Sequence, residues 1–265
     1  MKKTIRRIAP AMLVLLGLAT LSFTAKDGVT LRLHPNTGKT YTVNAKQTSM
    51  NIMEVMGQSM NSTQSMETRQ TFTAQEVTDA QSVLVTQVEA IKLSISQMGM
   101  KLEYDSEHPE KTSPMLAGQT ADMEKGLNKP TTVTYNALGV LVGDHSDLSA
   151  NQLGNVIINL PEEELSVGST WTNERTQSTS DIEFTVNTEY TVTAISKKSV
   201  DVSFKGIVTS DDVTGTTEGT ASINPQTGIV MKLNGKQNIS MTITEQGMSI
   251  PVTTAANTTI TVEEK

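Results

Sequence analysis

The sequence predicts a mainly β protein: a single, strongly curved antiparallel sheet forming an incomplete barrel, with two short helices as its lid. The first observation is alternation. From Ile229 to Ile243 the residues Ile229, Met231, Leu233, Ile239, Met241 and Ile243 fall on odd positions, with Val230 and Gln237 as lapses. A period of two marks a strand with one buried and one wet face. The same pattern runs through Ile182, Phe184, Val186, Tyr190, Val192 and Ala194, and again through Met248, Ile250, Val252, Ala256, Ile260 and Val262. The second observation is composition. Threonines number about 40, aromatics are 3% of the chain and methionines number 14; Thr favours strands and Met fills adaptable apolar space. The third is area. Ten or so strands, each about 25 Å long and about 4.8 Å apart, present on the order of 1,200 Å² on one face. Two helices of about 12 residues shield about a third of it. Such a sheet must curl, or leave part of its apolar face as a hollow.

The chain opens on an export leader, residues 1–25. Lys2, Lys3, Arg6 and Arg7 precede an apolar run from Ile8 to Leu21, with small residues at Ser22, Thr24 and Ala25. The run is shorter than the roughly 20 residues a spanning helix needs, so the mature chain, 26–265, is expected to be one soluble domain, periplasmic or secreted. There are no cysteines, which excludes disulfides and thiol chemistry. Net charge is −7; without the leader's four basic residues, 17 Lys and Arg face 28 Asp and Glu, leaving −11. That balance argues against nucleic acid and anionic membrane surfaces as partners.

The elements follow in order. Val29, Leu31 and Leu33 alternate before a turn at Pro35–Gly38. A long strand runs from Tyr41 to Met56, turns at Gly57-Gln58 and returns with Met60, Met66 and Phe72 on one face. In Val83–Ile95 the apolar parity slips, odd to even and back to odd, which marks a β-bulge. The strand is then expected to continue past Gly99 into Leu102–Ser106. Ser113-Pro114 starts a first helix carrying Met115, Leu116, Met123 and Leu127, and Asn128-Lys129-Pro130 ends it. A short strand pair, 131–136 and 138–143, leads to a second helix, capped at Asp147 or Ser149 and carrying Leu148, Leu153, Val156 and Ile157. After Leu160-Pro161 the pattern is strand to the end, with turns at Pro225–Gly228 and Gln246-Gly247.

Three segments together carry a resemblance: Gly99…Tyr104-Asp105-Ser106, Leu160-Pro161…Val167–Trp171, and Gly219–Gly228. They resemble a group of exported bacterial proteins of unknown function, similar in layout to the lipoprotein-carrier superfamily (LolA/LolB/LppX-like). The resemblance covers roughly residues 29–263. It implies a bent, incomplete barrel whose hollow holds acyl chains under short helices, with an arginine inside the hollow that switches the lid. By alternation Arg32, Arg69 and Arg175 all fall in polar phase, so none is assigned that place.

No catalytic constellation stands out. HExxH, GxSxG, GxGxxG and Walker sequences are absent. Asp144-His145-Ser146-Asp147 is the densest polar cluster, but it lies where a strand meets a helix and Asp and Ser are expected as caps. His34 and His108 sit in Pro-containing turns. Asp211-Asp212…Glu218 matches no defined calcium loop. Tyr104-Asp105-Ser106 reads as an Asx or Ser turn.

The sequence therefore points to a non-enzymatic protein without metal or cofactor. Its hollow takes an apolar small molecule or lipid against Met56, Met60, Met66, Phe72, Met231, Leu233 and Met241, with Trp171 plugging one end. Met50 and Met53 are read on the same apolar face. The alternative is a structural module of the cell envelope with a self-filled core, its edges binding an envelope protein.

Overall fold

The computed structural model describes residues 28–55, 57–143, 153–179, 182–245 and 248–265. Among these residues eleven strands form one antiparallel sheet: β1 (Thr40–Val55), β2 (Gln58–Val77), β3 (Gln81–Gln97), β4 (Met100–Asp105), β5 (Thr131–Asn136), β6 (Thr170–Thr179), β7 (Ile182–Ile195), β8 (Val200–Thr209), β9 (Val213–Ile223), β10 (Val230–Glu245) and β11 (Met248–Glu264). Their spatial order is β4-β3-β2-β1-β11-β10-β9-β8-β7-β6, with β5 also on β3. The fold is mainly β, as predicted, and the sheet does not close into a barrel: among the described residues β6 pairs with β7 alone. At about 3.3 Å per residue, the 20-residue β2 is about 66 Å long, far longer than the strands assumed in the area argument.

Alternation sets the inner face. Tyr41, Val43 and Ala45 of β1 share it with Phe72 of β2 and with Val262 and Ile260 of β11, as the register requires. The packed core occupies one end of that face. There Phe72, Leu84, Val133, Val200, Val202 and Ile223 are buried beneath two irregular segments, 28–34 and 153–165. Leu31 and Leu33 are fully buried, but only Val29 makes a strand-like bridge, to Leu165. The expected bulge in β3 is present: Arg69 pairs with Ala90 and Gln70 with Val88, leaving Glu89 as the extra residue.

Several expectations change. The chain does not run straight on at Gly99. Met98 and Gly99 both adopt positive φ (51° and 77°) and fold β4 back on β3. The first helix is found as one 3₁₀ turn, Pro114–Leu116, running into α1 (Ala117–Gly126). The Ser113 hydroxyl accepts a hydrogen bond from the Glu103 N–H rather than capping the helix. Leu116 packs on Leu93 and Tyr104 of the inner face, so this segment covers the β3–β4 side. Of the second helix, the cap positions and Leu148 lie outside the described residues, and residues 154–156 form a turn. Met50 is 48% exposed on the outer face, opposite in phase to Met53. That face is charged: Arg69 pairs with Glu89 (3.1 Å) and Glu107 (2.7 Å), and Lys92 with Asp105 (3.2 Å). The Asx turn is present, with the Glu107 N–H donating to Asp105 Oδ1. The Asp211-Asp212 turn is exposed, while Glu218 sits in β9 between Lys205 and Lys236.

Candidate functional site

The hollow is built by the segment 153–160 crossing the inner face. Leu153, Val156 and Ile157 press their side chains into the core. The backbone is then tied to the strands around it. The Val230 N–H donates to Val156 O (3.0 Å) and the Leu160 N–H to Leu138 O (2.8 Å). From β6, Trp171 Nε1 donates to Asn159 O (3.1 Å), and Asn173 Oδ1 accepts from Asn159 Nδ2 (2.9 Å). Arg175 donates to Gly154 O through one nitrogen and to Ile157 O through another (2.8 Å). Trp171 stacks on Tyr190 with ring centroids 4.9 Å apart, and Phe204 lies 5.9 Å beyond. Burial raises the pKa of Tyr190 and lowers that of Arg175, since desolvation disfavours the charged form of each.

Arg175 thus corrects the sequence reading. On β6 it shares the phase of Trp171 and Asn173, and their partners Tyr190 and Thr188 also face inward. The inner face of this edge strand is itself polar, so polarity and exposure part company there. Arg32 holds the two irregular segments together by donating to Pro161 O and Glu162 O, and Arg69 stays outside.

Two adjoining cavities flank Asn155 and share Gln47, Asn155 and Thr258 as walls. One, about 210 Å³, is ringed by polar groups including Asn173, Arg175, Thr188 and Gln237. The other, about 330 Å³, is lined largely by apolar groups, among them Val43, Met66, Val88 and Ile260. Glycines make room for the first. A Cβ on Gly219 would lie 2.6 Å from the Phe204 ring, so that ring rests directly over the glycine backbone.

The residues predicted to line the hollow separate into groups. Phe72 is 0% exposed and stacks on Tyr41 at 4.8 Å, inside the core. Trp171, Met231 and Leu233 pack against that core, and Leu233 also borders the smaller cavity. Met66 joins the Leu93–Tyr104–Leu116 cluster and borders the larger cavity. Met60 and Met241 lie farther along the strands, beyond both clusters. Met56 lies outside the described residues. The polar ring was missed, and its signal was present: Trp171, Asn173 and Arg175 share one parity.

Residues 146–249 match a protein family described as a family of unknown function (DUF6263). No curated protein matches the sequence. Among solved structures the chain is similar to lipovitellin, in a study titled for its lipid–protein interactions. Identity is 14% and the TM-score 0.52, over 86% of this chain and 25% of that one. The chain therefore spans a quarter of that protein's length, and the likeness is one of fold. It is also matched to an outer membrane channel from Pseudomonas putida F1 (10% identity, TM-score 0.26, 87% of this chain and 98% of that). A third match is the translocator domain of the autotransporter NalP from Neisseria meningitidis (9%, 0.23, 86% and 89%). Among the described residues no helix is long and apolar enough to cross a membrane.

Proposed function

We propose that this is an exported, non-enzymatic protein that holds an apolar ligand, a lipid or acyl chain, in the hollow of its curved sheet. One observation carries the reading: the inner face stays apolar well beyond the packed core. Past the polar ring, Met53, Met60, Phe184, Val186, Ile239 and Met241 are all half-buried, and they belong to neither core cluster. Nearby, Val208, Val213 and Val252 are buried. The similarity of fold to lipovitellin supports the same reading. Removal of the leader near residue 25 would deliver the protein outside the cytoplasm. Each methylene placed in the hollow contributes about 0.8 kcal/mol, so chain length governs affinity. Native mass spectrometry of the gently purified protein, followed by lipid extraction, is expected to find a co-purifying amphiphile. After delipidation, acyl probes should bind more tightly with each added methylene. A ligand-free monomer that ignores probes of every length would reject the reading and favour the self-filled envelope module.

A further inference from the structure

We propose that the hollow takes a single-tailed amphiphile with an anionic head, the head against Arg175 and the tail running past Gln47 and Thr258 into the larger cavity. This rests on the apolar-ligand reading and adds the charge and placement of the ligand to it.

Arg175 is a partly buried cation facing the interior. A guanidinium carries five N–H donors, and the described residues supply it with two acceptors, the carbonyls of Gly154 and Ile157. Among the described residues it forms no ion pair, whereas Arg69 on the outer face has two carboxylate partners. A charge withdrawn from water without a counter-ion is costly. The chain has 28 carboxylates to offer, yet among the described residues none lines either cavity; Arg175 is the charged residue of the smaller one in inward phase, whereas Lys236 borders it from the outward phase, opposite Glu218. The interior of an acidic protein is thus a locally positive site, and low-dielectric walls concentrate such a field. Burial also weakens Arg175's hold on its proton, chiefly through desolvation, and a bound anion would offset that. Around the guanidinium, Asn173, Thr188 and Gln237 offer neutral polar groups to a hydrated head. Next door, Val43, Ala45, Met66, Val88, Ile91 and Ile260 offer an apolar wall to a tail. A carboxylate and a phosphate monoester share the chemistry a planar guanidinium fork recognises.

The test is calorimetry on the delipidated full-length protein with three ligands of equal chain length: dodecanoate, dodecyl phosphate and dodecanol. At least one anion is expected to bind tenfold or more tightly than the alcohol, and the tighter of the two identifies the head. In Arg175→Gln the preference should shrink below about threefold, while Arg175→Lys should keep part of it. Equal binding of all three ligands, or a preference that survives in Arg175→Gln, overturns the inference and leaves the apolar-ligand reading standing. Failure of all three to bind overturns both. Should Arg175→Gln not fold, the comparison on the unaltered protein decides alone.

Discussion

Replacing Phe72 by Ala and Met60 by Trp, two changes on the inner face of the same strand, should have opposite consequences. Phe72 is fully buried and stacked on Tyr41, with ring planes 12° apart. Truncation removes the ring's transfer energy and leaves a cavity, a loss of about 3–5 kcal/mol, part of it the stacking itself at about 0.5–1.5 kcal/mol. For a chain of this size each kcal/mol moves Tm by about 2–4 °C, so a fall of about 10 °C is expected. Met60 is half-buried opposite Met53 and outside both core clusters. In a filled interior an added indole would cost about 1–3 kcal/mol through overpacking; here the expected change is within about 0.5 kcal/mol. Urea titrations of both variants beside the parent, followed by circular dichroism, make the comparison, and an acyl-probe titration of Met60→Trp should show weakened binding. A loss of 2 kcal/mol or more in Met60→Trp would refute the reasoning, because it would mean that the chain itself fills the far end.

Gly235 faces the smaller cavity, and an added Cβ there meets only ordinary contacts, 3.5 Å from Phe204 and Leu233. Gly235→Leu should therefore fold normally and block ligand, read as a lost acyl-probe signal with an unchanged melt. Gly219→Ala should behave differently: its Cβ would lie 2.1 Å from Asn234 O and 2.6 Å from the Phe204 ring, so a loss of about 1–3 kcal/mol in urea titration is expected. At alkaline pH the tyrosines decide. Burial raises the Tyr135 phenol to about 12, against an opposing pull from Arg175. The folded state holds that proton more tightly than the unfolded chain, so this stabilisation is complete below about pH 10 and is lost as pH rises from 10 to 12. The loss is on the order of 3 kcal/mol. Phenolate absorbance rising together with the loss of circular dichroism would show the linkage, whereas tyrosine titration before any unfolding would contradict it.

Much of the sheet was legible because alternation reports which face a residue occupies. The slip around Glu89 announced the bulge, and Gly57 and Pro225–Gly228 announced turns. Two failures share one cause, the use of polarity as a stand-in for position. Polarity put Met50 inside and Arg175 outside. Parity anchored on Trp171 would have placed Arg175 correctly. At Gly99 the signal was again parity: Ile95 is odd while Leu102 is even, and only a two-residue turn restores their pairing across β3 and β4. The spacing of Leu153, Val156 and Ile157 suggested a helix, but the shape of the segment 153–160 is set by hydrogen bonds to three distant parts of the chain: Leu138, β6 and Val230. Pairings of that kind leave no trace in local pattern.

Those same bonds explain why an open sheet of eleven strands has a closed end. Closing it by strand pairing would join β6 to the β4–β5 edge along a ladder and shut the whole length. Instead, among the described residues, the gap is bridged at one end. Leu160 is bonded to Leu138, just beyond β5, while Asn159 and Gly154 are bonded to Trp171, Asn173 and Arg175 of β6. Side-chain bridges fix the base and leave the far stretches of β6 and β4 free of each other. Among the described residues the edges stay unpaired there, a liability in most sheets, and in return the mouth can widen without breaking a backbone ladder. Under the proposed function that arrangement suits a flexible apolar ligand: the base that the segment 153–160 ties down stays fixed, while the opposite end can open to admit it.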